Sequence, residues 1–94
     1  MFVYAVLTTK GIFEWHTSDM PFEWIQERIN GYVQIVAIPL VRMRLVGFEP
    51  VEGEEYHLAV NEDGSHLGLE FNANASSLVN KHIVGDAVLV RCVE

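Results

Sequence analysis

His57–Val79, HLAVNEDGSHLGLEFNANASSLV, followed two residues later by His82–Cys92, HIVGDAVLVRC, is the stretch whose reading decides the fold. Tyr56–Val60 reads as a strand. Asn61-Glu62-Asp63-Gly64 then forms a turn, since Asn and Asp bond back to local amides and Gly supplies a positive φ. Ser65–Phe71 reads as the returning strand, with Gly68 at a bulge or a close backbone approach. Asn72 or Asn74 caps a short helix through Ala75, Ser77, Leu78 and Val79. His82–Val93 closes the chain as a strand bent near Gly85-Asp86.

The first half is read outward from that block. Phe2–Thr8 is an apolar strand, Thr9-Lys10-Gly11 a turn, and Ile12–His16 its partner, with Ile12, Glu14 and His16 opposed to Phe13 and Trp15. Thr17-Ser18-Asp19 offers helix caps and Pro21 suits a first turn. Phe22, Ile25 and Ile29 fall at helical spacing with Trp24 beside them, and Glu23 and Glu27 lie opposite. Asn30-Gly31 is a stop, so the helix is expected over Met20–Asn30. Tyr32–Ile38 reads as a strand ended by Pro39. Leu40–Phe48 reads as another, with Arg42 and Arg44 on one side and Val41, Met43 and Leu45 on the other. Glu49–Glu55 is an acidic, solvated loop. The order is β-β-α-β-β-β-β-(α)-β. It predicts one α+β domain over residues 1–94. Its core is a strongly bent antiparallel sheet or small open barrel of six to seven strands. One main helix packs on that sheet, and one short helix lies near the C-terminus.

Half of the 94 residues are apolar and ten are aromatic, enough for a core in a domain whose radius of gyration should be roughly 12 Å. Thirteen acids against six bases give a net charge of −7. That balance disfavours direct nucleic-acid or anionic-membrane binding. Solubility accounts for the charge; the sharper reading is an acidic face for a basic partner, in the limit a DNA mimic. Met1–Leu7 lacks the features of a signal peptide, and no apolar run approaches a membrane span. Cys92, the single cysteine, is expected to be a small core residue.

Motifs for chemistry are sparse. His16, His57, His66 and His82 show no metal-ligand spacing, although His57 and His66 flank the Asn61–Gly64 turn and would face each other across a hairpin. The turn itself lacks the alternating ligands of a calcium loop. Asn72 and Asn74 either cap the short helix or present amides to a ligand. No nucleophile motif or phosphate-binding glycine pattern is present, so no catalytic residue, metal or cofactor is expected. Phe13, Trp15, Phe22 and Trp24 form an aromatic group that reads either as a small core between hairpin and helix or, with Met20, as an interface anchor.

The segments Gly31–Val36 (GYVQIV), NEDGSHLGLEFNANA and HIVGDAVLV together resemble a small family of phage- and plasmid-encoded proteins of unknown function. That family combines a GYIEVV strand, DEEGxLxGLxxN, a short alanine-rich helix and IVGxxLV. Gln34 stands where the family has Glu, Asn61 where Asp is common, and Leu40–Glu55 is longer than the pattern. The resemblance implies a mobile-element accessory protein acting in the cytoplasm of a bacterial host, and it carries over no catalytic residue. A non-enzymatic protein that binds and modulates a host protein is the leading expectation. Its contact residues would be Trp15, Met20 and Trp24, or Glu52, Glu54 and Glu55. The alternative is a small ligand- or nucleotide-binding or enzymatic module using His57, His66, Asn72 and Asn74. Monomer and homodimer are both open.

Overall fold

A computed structural model of the protein describes residues 1–91; Cys92 and the end of the predicted closing strand lie outside the described residues. Five strands form one antiparallel sheet: β1 (Phe2–Leu7), β2 (Phe13–Asp19), β3 (Val33–Ala37), β4 (His57–Asn61) and β5 (Ala87–Arg91). They lie in the order β2-β1-β5-β4-β3, so the sheet is open, with β2 and β3 at its edges. The radius of gyration is 12.0 Å.

The expected α+β class is present, but with five strands and three helices among the described residues. Helix α1 (Phe22–Ile29) covers one face. Ile25 and Ile29 pack there with Val3, Val6, Ala59, Val88 and Val90. The opposite face is covered by α2 (Leu40–Met43), the 3-10 turn Arg44–Val46 and α3 (Ala73–Val79). Leu7, Leu58, Leu89, Met43, Leu78 and Tyr56 are the large side chains of that second core. The sheet is therefore an open middle layer with helices on both faces, rather than a small barrel with one main helix packed on it. Continuous burial along β1, β4 and β5 follows from having helices on both faces.

Two predicted strands are corrected. Within Leu40–Phe48, residues Leu40–Val46 are helical because Pro39, extended at φ −60, starts α2, and Gly47, at φ 77, stops the 3-10 turn. Alternation had placed Val41, Met43 and Leu45 on one face, yet only Met43 is buried, and Val41 is 85% exposed. Ser65–Phe71 does not return beside β4, since both sides of β4 are occupied by β3 and β5. The segment instead makes consecutive turns, closed by Leu67 N–H to Asp63 C=O at 3.0 Å and Leu69 N–H to Gly64 C=O at 3.2 Å. It meets the lead-in to β5 through the bridge Phe71–Val84 and the Gly85 N–H bond to Glu70 C=O at 2.7 Å. In addition, β2 runs to Asp19, so Thr17-Ser18-Asp19 is strand rather than helix cap, and Pro21 occupies the cap position.

Candidate functional site

The site begins with an irregularity in β1. Val3 faces Val90 on β5, but Ala5 faces the next residue back, Leu89, so Tyr4 is an extra residue in the ladder. Across the other side, Val3 pairs with Ser18 and Ala5 with Trp15, which leaves His16 and Thr17 opposite Tyr4. This bulge breaks the two-residue alternation. Val3 and Val6 point to the α1 face, whereas Tyr4, Ala5 and Leu7 all join the opposite core.

Re-aimed in this way, the Tyr4 hydroxyl donates to Glu54 Oε2 at 2.8 Å, and the Tyr56 hydroxyl donates to the same oxygen at 2.8 Å. Arg91 pairs with the other oxygen, Oε1. The Tyr56 oxygen also accepts the Val51 N–H at 2.7 Å, which ties the acidic loop to the core. The bonds from Tyr56 and Tyr4, then the pair with Arg91, hold the Glu54 carboxyl below its usual range. Burial first, and then the Glu54 charge, push both phenols up, so they remain protonated donors. Arg91 completes the frame by lying over the Phe2 ring, 5.2 Å from its centroid.

An aromatic stack rises from this base. Phe48 meets the Tyr4 ring edge-on at 4.9 Å and the Tyr56 ring at 5.2 Å. Trp15 lies nearly parallel to Phe48 at 6.2 Å and to Phe13 at 6.1 Å. The indole is thus ordered between two rings, yet it remains 51% exposed. Phe48 opens directly into the acidic loop, where Glu49, Glu52 and Glu55 are exposed.

The structure divides the residues that the sequence had grouped. Phe13 and Trp15 belong to the Phe48 face, while Trp24 and Met20 pack on the α1 face, where His16 meets Trp24 edge-on at 5.0 Å. The expected small core of all four aromatics is split by the sheet. Glu52 and Glu55 are exposed in the loop, but Glu54 is 19% exposed and committed to two tyrosines and an arginine. On the same α1 side, Arg28 clamps β2 through Glu14 and the entry to β5 through Asp86.

The residues proposed for a ligand pocket do not converge. His57 lies in β4 opposite Ala37 and Val90, and His66 sits in the exposed turns, so they are not hairpin partners. Asn72 is fully buried: its Oδ1 accepts the Ala75 N–H at 3.0 Å, and its Nδ2 donates to Leu7 C=O and Gly85 C=O, each at 2.9 Å. It is the cap of α3 and a structural hub. Asn74 is half-buried in the first turn of α3. Among the described residues, no group of three or more His, Cys, Asp or Glu side chains is placed to hold a metal ion. No helix among them is long and apolar enough to cross a membrane.

Sequence reasoning missed Tyr4, Phe48, Tyr56 and Arg91. Nothing local marks them, because the bulge that turns Tyr4 lies inside an unbroken apolar run, FVYAVL. The chain matches no protein-family model, no curated protein and no solved structure.

Proposed function

We propose that this is a non-enzymatic accessory protein of the phage and mobile-element type that binds a protein of its bacterial host through the Trp15–Phe48 surface. The observation that carries the reading is Trp15 itself. Held between Phe13 and Phe48 and still half exposed, it loses little side-chain freedom on docking. Tryptophan anchors of this kind dominate many interfaces, particularly where surrounding polar groups exclude water. The neighbouring Glu49, Glu52 and Glu55, in a chain of net charge −7, favour an apolar socket rimmed by Lys or Arg. The resemblance of Gly31–Val36 and Tyr56–Val90 to the phage- and plasmid-encoded family supports a bacterial cytoplasm as the place of action.

Affinity capture from host lysate tests this with three baits: the natural protein, Trp15→Ser, and Phe22→Ser on the α1 side. One host protein should be retained by the first and third and lost by the second. Its retention should weaken in Glu52→Gln/Glu55→Gln and with added salt. Equal recovery by the natural protein and Trp15→Ser would sink the proposed surface. No specific recovery by any bait would sink the host-binding reading.

A further inference from the structure

The other edge of the sheet carries a separate inference. In the β3–β4 ladder, Tyr32 C=O accepts the Glu62 N–H at 2.9 Å, and Ile38 N–H donates to Tyr56 C=O at 3.0 Å. Paired residues alternate between bonded and non-bonded positions in an antiparallel ladder. The even-numbered residues Gln34 and Val36 therefore turn their backbone groups toward β4. Val33, Ile35 and Ala37 turn theirs outward. Since β3 is the end of the sheet, no strand among the described residues meets those outward groups.

Nothing on β3 blunts this edge. Val33–Ala37 is VQIVA, five residues in regular register with no bulge, proline or charge. The whole run Gly31–Val41 contains no Asp, Glu, Lys or Arg. It also carries several exposed apolar side chains: Tyr32 at 71%, Ile35 at 40%, Leu40 at 46% and Val41 at 85%.

We infer that β3 pairs antiparallel with β3 of a second copy of this chain, with Ile35 opposite Ile35 about a two-fold axis. Three outward residues centred on Ile35 are self-complementary. Ile35 bonds Ile35, and Val33 bonds Ala37, giving roughly six backbone hydrogen bonds. The two five-stranded sheets then continue as one. Val33, Ile35 and Ala37 lie on the α1 face, since Val33 packs there, so the two Ile35 side chains cover each other on that face. Geometry selects the occupant. A second β3 presents the same outward residues in the same regular register, so the two edges satisfy each other completely. Each copy carries −7, which opposes association at long range, but the uncharged run Gly31–Val41 sets no like charges directly against each other at the contact.

Light scattering and amide hydrogen exchange on the intact protein test the dimer. At high concentration the mass should be twice 10.6 kDa, falling on dilution. In the dimer the amides of Val33, Ile35 and Ala37 should be protected along with those of Gln34 and Val36. On dilution only the odd-numbered three should lose protection, because β4 still covers the others. Ile35→Lys would set two lysines opposite each other, with Cα atoms about 5.5 Å apart. It should give a monomer with an unchanged circular dichroism spectrum, while Trp15→Ser remains dimeric. A monomeric mass at every concentration overturns the inference, as does a dimer in which the three outward amides exchange freely. The exchange pattern of the natural protein decides the matter even if Ile35→Lys does not fold. These outcomes are independent of host-protein capture through Trp15.

Discussion

β2 and β3 are the outer strands of one sheet, and each has a neighbour on one side only. Along its seven residues β2 carries Glu14, His16 and Asp19, and it contains an irregular step at His16-Thr17. Its side chains are also fastened to other layers: Glu14 to Arg28 on α1, and Trp15 to Phe48. β3 has five regular, uncharged residues and, among the described residues, no ion pair or aromatic stack of that kind. Charges and bulges keep a strand from adding to a sheet edge, whereas a flat apolar strand invites addition. The contrast separates two modes of recognition. The β2 side offers a preformed side-chain surface, and the β3 side offers backbone.

The sharpest test of this contrast compares two buried asparagines. Asn72 holds the end of β1, beside the β1–β2 hairpin, through three bonds of 2.9 to 3.0 Å. Asn61, at the β3 end, donates to Ile29 C=O and Asn30 C=O at 3.4 and 3.3 Å and accepts the Asp63 N–H at 2.8 Å. Asn72→Ala leaves three buried backbone groups unsatisfied and should cost about 3 kcal/mol. Asn61→Ala breaks two long bonds and a turn and should cost about 1 kcal/mol. Urea unfolding measures both. Equal losses would show that the two sides are fastened alike.

Next in size is the acid limb of stability, which reports on Glu54. Its folded pKa lies below the ordinary value of 4.5, because the carboxylate accepts from Tyr56 and Tyr4 and pairs with Arg91. A group depressed in the folded state stabilises fully above its unfolded pKa, and that contribution is lost as pH falls through the folded value. Glu54→Gln should therefore be less stable than the natural protein at neutral pH. The gap should close as pH drops below 4.5. Parallel curves through the acid range would mean that Glu54 is an ordinary exposed loop acid.

These features differ in how far they can be read from residues. The helix α1, the strands β1 to β3, the Asn72 cap and the bend at Gly85-Asp86 each follow from local chemistry: spacing, turn residues, a side chain that satisfies an amide. The strand at Leu40–Phe48 failed because alternation and helix both accommodate such a short sequence. The boundary signals Pro39 and Gly47 outweigh the pattern. The strand at Ser65–Phe71 failed for a topological reason, since the pairing of β4 with both β3 and β5 is set by contacts distant in sequence. The Glu54 cage was illegible on similar grounds. It brings together residues 4, 54, 56 and 91, and it depends on a bulge hidden in a run where every side chain but Tyr4, with its hydroxyl, is apolar.

The bulge itself gives the smallest and most local prediction. Opposite Tyr4, Thr17 takes φ 48, a left-handed conformation that crowds a β-branched side chain. Asn tolerates that region better, so Thr17→Asn should stabilise the protein by about 0.5–1 kcal/mol. Thr17→Gly relieves the same strain but gives back part of the gain by loosening the unfolded chain. It should fall between Thr17 and Asn. If β2 instead ran flat past Tyr4, both substitutions would replace a good strand former with a poor one, and both would destabilise. Thermal unfolding of the three proteins tells these cases apart. A loss in both variants would remove the bulge that turns Tyr4 toward Glu54, and with it the structural difference between β2 and β3.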